Sequence, residues 1–435
     1  MKTVMLKGAN RVTSFQRGQQ HAIRIHVLPT KRFKTFAISL FAGVPLKEDT
    51  VTPVALIPFV LRRGTANTPE TIQFREKLDE LYGAGFGFDV FKRGESQIVQ
   101  FRMDVINDRF VTTDTSLLAS SIAFLGDVVS NPLLEGNAFR SSYVEAEKKT
   151  LRKRLEAIVN DKIRYAAERC MEEMCAGEPY RLHPLGQRGE IEAITPSSLY
   201  NQYRNWTEQA ALDLYVVGDT TFEEVQSLVA QHFKLPDRHP TAYGTPQVMH
   251  HVQQVKQVVD KMDVSQGKLN MGLRTNIGYS DPLYPAALMY NGILGSFPHS
   301  KLFINVREKA SLAYYASSRL DGHKGLCTIQ SGIEFANFER AVEIIKEQLQ
   351  SMRDGNLSQL EMSQTKAMIS NHLREMQDSA YEMLAYDFNG VLTGNFRSAD
   401  ELLQGIEAVT PKDIMEVASR VQLDTIYFLR DRKEG

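Results

Sequence analysis

Residues 22–29 (Ala-Ile-Arg-Ile-His-Val-Leu-Pro) alternate apolar and polar side chains, the period-2 signature of a half-buried strand. Residues 34–43 predict a second strand, and a loop with Pro45 and Asp49 leads into an apolar helical stretch at 54–63. Pro69-Glu70 opens a further helix, with Ile72, Phe74, Leu78 and Leu81 at helical spacing. Gly83, Gly85 and Gly87 close it, and strands follow near 86–92 and 97–106. Apolar periodicity then predicts a helix over 114–129 and a long one over 145–176, the latter with Leu151, Leu155, Ile158, Val159, Ile163, Ala166 and Cys170 on one face. After a loop at 179–186, Thr195-Pro196 starts another helix, with Thr as cap and Pro in the first turn, where its missing N–H costs little. Residues 212–217 read as a strand ending at Gly218-Asp219, and 222–233 as a helix.

Between 234 and 248 the periodicity stops and three prolines and a glycine appear, which predicts a linker. Beyond it the chain repeats itself. Arg75-Glu76-Lys77 recurs as Arg307-Glu308-Lys309, and Ala55-Leu56-Ile57 falls opposite Ala287-Leu288-Met289. Ile191-Glu-Ala-Ile-Thr-Pro196 recurs as Ile406-Glu-Ala-Val-Thr-Pro411, each followed by a helix and a strand. The long helix has a counterpart at 358–385, opened by the capping box Ser358-Gln-Leu-Glu361. Three matches in one order predict an internally duplicated α+β protein, each unit a β-sheet covered by helices, with boundaries at 1–233, 234–248 and 249–435.

Composition narrows the class. With 51 basic against 52 acidic residues, the balance argues against a general nucleic-acid or anionic-membrane binder, and no run approaches the roughly 18 apolar residues of a membrane span. The start of the chain is too short in apolar residues for a secretory signal. Cys170, Cys175 and Cys327 fit no zinc or redox motif and read as buried thiols, so a cytoplasmic setting is expected. His250-His251, His21 with His26, and His372 with Glu375 lack a third ligand at a usable spacing. The basic helical run from Lys148 to Arg154 reads as a solvated face, or as a surface for acidic groups of a partner or peptide.

Residues 55–70 (Ala-Leu-Ile-Pro-Phe-Val-Leu-Arg-Arg-Gly-Thr-Ala-Asn-Thr-Pro-Glu) keep a frame that resembles the zinc helix of the M16 (insulinase-type) metallopeptidases, His-x-x-Glu-His followed by Gly-Thr and a Pro-Glu-like end. The loop His183-Pro-Leu-Gly186, the strand end Val217-Gly218-Asp219 and the segment from Ser300 to Tyr315 extend the resemblance over about residues 20–430. It implies two M16/LuxS-like metallohydrolase-type domains. Residues four apart on a helix share a face, so in the family two imidazoles reach one ion while the Glu activates water. Here those positions read Ala55, Pro58 and Phe59, and none can ligate or accept a proton. By the family pattern Glu145-x-Glu147 leads to the distant ligand at Arg154, or at Lys153 one residue earlier, and either is cationic. No zinc is expected in this chain, and Pro58 is expected to disturb its helix.

What the resemblance keeps is Arg307 and Tyr314, at positions where the Arg and Tyr of active relatives bind substrate near zinc. A guanidinium can hold a peptide carbonyl or carboxylate, and a phenol can donate to a developing oxyanion. Arg75 and Tyr82 share that spacing, so a purely structural role for the pair is the alternative. The family's glycine-rich loop is reduced to Leu294-Gly-Ser-Phe-Pro-His299. The resemblance implies a zinc-less M16B subunit, inactive alone, that pairs with a zinc-bearing M16 homologue around a peptide or unfolded segment. For such bacterial subunits it also implies a link to elongation factor P modification or to processing of a modified peptide. The competing reading is a non-enzymatic scaffold, like the core subunits of a respiratory complex.

Overall fold

The computed structural model describes residues 14–244 and 248–432. The first eight strands are β1 (Gln16–Gln20), β2 (Ile23–Pro29), β3 (Thr35–Pro45), β4 (Gly85–Arg93), β5 (Ser96–Ile106), the short β6 (Leu134–Glu135) and β7 (Ala138–Phe139), and β8 (Ala211–Gly218). All but β6 and β7, which pair with each other, form one sheet in the order β1-β2-β8-β3-β5-β4. The second sheet contains β9 (Lys256–Met262), β10 (Gly267–Arg274), β11 (Ala313–Asp321), β12 (Leu326–Ile333) and β13 (Gln422–Asp431), in the order β11-β12-β10-β13-β9. Read in the same direction, β2-β8-β3-β5-β4 and β9-β13-β10-β12-β11 are one topology. In both, only the outer pair is parallel (β2 with β8, β9 with β13). The duplication legible in three short sequence matches thus extends over five strands of each sheet, with β1 added at the edge of the first.

The helices of the first half are α1 (Val51–Leu61), α2 (Thr71–Glu80), α3 (Leu117–Ser130), α4 (Ser141–Asn160), α5 (Lys162–Met174), α6 (Pro196–Gln209) and α7 (Phe222–His232). Those of the second are α8 (Tyr284–Asn291), α9 (Phe338–Arg353), α10 (Gln359–Met376), α11 (Ala380–Thr393), α12 (Ala399–Ala408) and α13 (Pro411–Arg420). Strand alternation sends Ile23, Ile25 and Val27, with Ile38 and Leu40, into the core under α1 and α3, and sends Phe41, Tyr215 and Val217 to the opposite face. That opposite face is covered by a helix from the other half. Leu384 and Phe388 of α11 pack there, the Phe41 and Phe388 rings stacking at 4.0 Å. Reciprocally, Ala166 and Cys170 of α5 pack on Tyr427 and Leu429 of the second sheet. Each half therefore supplies the other's outer layer.

The two long helices expected at 145–176 and 358–385 are each broken. Asp161 leaves the helical region and its carboxylate accepts from the N–H groups of Ile163 and Arg164 at 3.2 and 3.1 Å, capping α5 as a new helix. Ser379 does the same for α11, accepting from Glu382. Val159 and Ile163, assigned by periodicity to the buried face, are exposed at that break. Strand β1 was not evident from the sequence, being polar throughout.

The proline-rich stretch 234–248 runs along the first sheet as far as Gly244, with Arg238 donating to the carbonyls of Ala22 and Thr207 and Tyr243 to Asp213 at 2.6 Å. Residues 245–247 and the chain start, 1–13, lie outside the described residues. Helix α7 fills the angle between α3 and strands β1 and β2. The corresponding angle of the second half, between α9, β9 and β13, is an open groove of about 770 Å³ lined by Phe338, Val342, Leu423 and Ile426 among others.

Candidate functional site

Helix α1 is buried on every side, only Pro53 escaping full burial, so its side chains are chosen by packing. The helix continues through Pro58 to Leu61, contrary to the expected disturbance: the missing N–H falls near the C-terminal end, and Arg62 N–H still donates to the Pro58 carbonyl at 3.3 Å. Ala55, Pro58 and Phe59 are all buried. Phe59 meets Phe88 of β4 edge-to-face, 4.7 Å between centroids.

Arg154 of α4 closes this arrangement. Its guanidinium carbon lies 4.7 Å from the Phe59 centroid and 5.9 Å from that of Phe88. Just past the C-terminal end of α1, Arg63 pairs with Glu147 at 2.5 Å; Glu147 is 1% exposed and lies two turns before Arg154. The two helices therefore run antiparallel, and α1 and α4 bring together the very positions that the family pattern singles out. Between the two registers left open by the sequence, it is Arg154 that faces Phe59. The site is a methyl group, a proline ring and an aryl face with an exposed guanidinium over it, and a divalent metal does not fit it. Among the described residues no group of three or more His, Cys, Asp or Glu side chains is arranged to hold a metal ion.

The loop after α5 braces the other end of α1. Gly186 adopts φ +79°, and a Cβ there would come within 2.4 Å of the Thr52 Cα. Thr52 Oγ1 accepts from the Gln187 N–H at 2.9 Å and donates to Glu190. Gly186→Ala is expected to cost about 2 kcal/mol through strain and this clash, measured as a lowered urea midpoint. His183, in the same loop, accepts the Leu185 N–H at 3.1 Å, and burial pushes its pKa down to about 4. Burial also pushes the Cys170, Cys175 and Cys327 thiols up to about 12, which makes each a poor nucleophile.

Arg307 and Tyr314 are both exposed. Arg307 sits on a π-helical turn (Phe303–Lys309), its guanidinium carbon 4.5 Å from the Phe303 centroid. Tyr314 occupies a β-bulge, where the β11–β12 register slips between Ala313 and Tyr315, and its hydroxyl donates to Glu334. That hydrogen bond and the Glu334 charge raise the phenol pKa above its usual value. Between them Ser311 adopts φ +53°, the left-handed region that favours glycine. No hydrogen bond or ring contact joins Arg307 to Tyr314. In the first half, Tyr82 of the corresponding turn has φ +57° and donates to the Thr112 carbonyl. The reduced glycine loop is packed: Leu294 and Gly295 are buried in a second π-helical turn, Gly292–Ser296.

The basic run 148–154 is less solvated than its pattern implies. Lys148 is buried, donating to the Ile194 carbonyl at 3.1 Å, and Arg152 pairs with Glu192; Lys149, Lys153 and Arg154 are exposed. Sequence reading missed a second polar centre. Asp213, fully buried in β8, accepts from Arg24 Nε at 2.7 Å, His26 Nε2 at 2.8 Å and Tyr243 at 2.6 Å. Its signal was an aspartate inside the otherwise apolar strand 212–217.

The profile described as the Peptidase M16 inactive domain matches residues 193–369. The chain is 43% identical to the probable inactive metalloprotease YmfF of Bacillus subtilis, over 93% of this chain and 95% of that one. It is 25% identical to the antilisterial bacteriocin subtilosin biosynthesis protein AlbE of Bacillus subtilis, over 64% and 69% of the two chains. The crystal structure of a conserved protein from Enterococcus faecalis superposes with a TM-score of 0.91 at 31% identity, covering 97% of this chain and all of that one.

Proposed function

The chain belongs to the M16 peptidase family as one of its inactive homologues, and on that premise we propose that it is the non-catalytic member of a pair whose other subunit bears zinc. In this reading the units 1–233 and 249–435, joined by 234–248, form half of a cytoplasmic peptide chamber. Arg307 and Tyr314 then act on a peptide held at the partner's metal. The observation that carries the reading is the contrast between the two places. The positions Ala55, Pro58 and Phe59 are buried by packing, with the exposed Arg154 guanidinium over the Phe59 ring. Arg307 and Tyr314 are exposed, each on a local irregularity of the backbone, a π-turn and a β-bulge, of the kind that re-aims a side chain. Among the described residues the first sheet also ends in β4, whose outer edge pairs with no other strand and to which an extended peptide can add.

The test is co-expression with an M16 homologue of the same genome that keeps His-x-x-Glu-His, followed by peptide cleavage by the purified complex. Arg307→Ala with Tyr314→Phe is expected to lower kcat/KM about 100-fold at unchanged complex yield. A second reading, a scaffold without a part in proteolysis, draws on the intrachain contacts of the same residues, Tyr314 with Glu334 and Arg307 over Phe303. It is the correct one if that double variant cleaves at the wild-type rate.

A further inference from the structure

We propose that Arg62 and Arg154 form a subsite for an acidic side chain of an extended peptide lying along β4; the subsite rests on the peptide-binding reading above and names the peptide's chemistry. Both guanidinium carbons lie over one ring, that of Phe88, at 5.5 and 5.9 Å from its centroid. Both side chains are exposed, and no carboxylate of the described residues pairs with either. The neighbouring Arg63 shows the contrast: its charge is neutralised inside the protein by Glu147. Two like charges held beside one ring create a local positive potential that an anion relieves.

The strand geometry supplies the ligand's path. Among the described residues β4 pairs with no strand but β5, so its outer edge is unpaired there. Its side chains alternate: Phe86, Phe88 and Val90 face the helical layer, and Phe91 faces away. A peptide strand added to β4 runs about 4.8 Å from it, with every second side chain on the Phe88 side. A glutamate or aspartate placed opposite Phe88 meets the two guanidiniums, which can hold a carboxylate by charge-assisted hydrogen bonds. The place where relatives hold a metal cation thus carries, in this chain, organic cations that recognise peptide charge.

The experiment uses the full chain and two fluorescein-labelled nonapeptides of alternating Val and Thr, one with a central Glu and one with a central Gln, titrated by fluorescence anisotropy. The Glu peptide is expected to bind about tenfold tighter, with the preference shrinking in 1 M salt. The variant R62Q/R154Q is expected to bind both peptides like the wild type binds the Gln peptide, with an unchanged circular dichroism spectrum. Should either glutamine weaken folding, R62K/R154K keeps the charge and is expected to keep a preference. Equal wild-type affinity for the two peptides overturns the subsite and leaves peptide binding standing; failure of both to bind overturns both readings.

Discussion

Asp213→Ala is expected to destabilise the protein by about 2–3 kcal/mol, because it removes the buried acceptor shared by Arg24, His26 and Tyr243, while the part-exposed Arg24 can still turn to solvent. The carboxylate accepts both arms of Arg24, the His26 Nε2–H and the Tyr243 hydroxyl. His26 Nδ1 in turn lies 2.7 Å from Arg17 Nη1. A guanidinium only donates and a carboxylate only accepts, so the imidazole proton must sit on Nε2. Arg17 then reaches α11, donating to both oxygens of Asp387 at 2.9 and 2.6 Å, and Tyr215 donates to the same carboxylate at 2.7 Å. One buried aspartate thereby ties β1, β2 and the stretch after α7 to the helix that the second half places on the first sheet. Urea unfolding should show the loss as a lower midpoint, and limited proteolysis should open the 234–248 stretch first. The pH dependence has a definite sign. Burial opposes ionisation of Asp213, but the hydrogen bonds from Arg24 and His26, with the Arg24 charge, outweigh it and hold its pKa below the usual carboxylate value. Its contribution is therefore complete above the unfolded-state pKa near 4 and is lost as the pH falls through the lower folded-state value. The alanine variant should lack that component of acid unfolding, so the wild-type and variant stabilities converge in acid. Wild-type and variant curves running parallel down to pH 2 would show that the network does not carry this charge.

The sequence made the duplication readable because the repeats preserve short motifs at turns and caps, where backbone geometry tolerates little substitution. It made the degenerate motif readable because Ala55, Pro58 and Phe59 fall on one helix at the spacing of the family pattern. The distant position needed the structure: a helix-long gap leaves a one-residue uncertainty, and only the antiparallel contact of α1 with α4 selects Arg154 over Lys153. The exchange of α5 and α11 was out of reach for a local reason. Periodicity reports that a helix has an apolar face but not which sheet receives it, and the breaks at Asp161 and Ser379, which turn those helices away, were hidden inside continuous helical patterns. The surroundings of Arg307 and Tyr314 were equally hidden. A π-turn and a β-bulge leave no periodic trace, although the left-handed Ser311 marks the spot in retrospect.

Rebuilding the metal site tests whether these four positions were read correctly, and the expected effect is large. The quadruple variant Ala55→His, Pro58→Glu, Phe59→His, Arg154→Glu is expected to retain about one zinc per chain after gel filtration, whereas the wild type retains less than about 0.1. The geometry favours it. Positions 55 and 59 are one turn apart on a fully buried helix, and the side chain at 154 already reaches the face of residue 59. Pro58→Glu also returns the N–H that the proline withholds from the Val54 carbonyl, so the helix gains a hydrogen bond with the change. Phe59→His works the other way. It empties the edge-to-face contact with Phe88 and buries a polar ring, which costs about 2–4 kcal/mol before any metal binds. The variant is therefore expected to be less stable than the wild type in chelator and to regain stability on adding zinc, since a ligand that binds only the folded state shifts unfolding by mass action. The wild-type midpoint should not move with zinc. Exchanging Arg154→Glu for Lys153→Glu, with Arg154 left in place, keeps the same ligand types but points the carboxylate away from residue 59 and leaves a cation over the site. That control should bind no zinc. If it binds as well as the first variant, the facing of α4 on α1 is wrong, and with it the assignment of Arg154 to the peptide-facing pair.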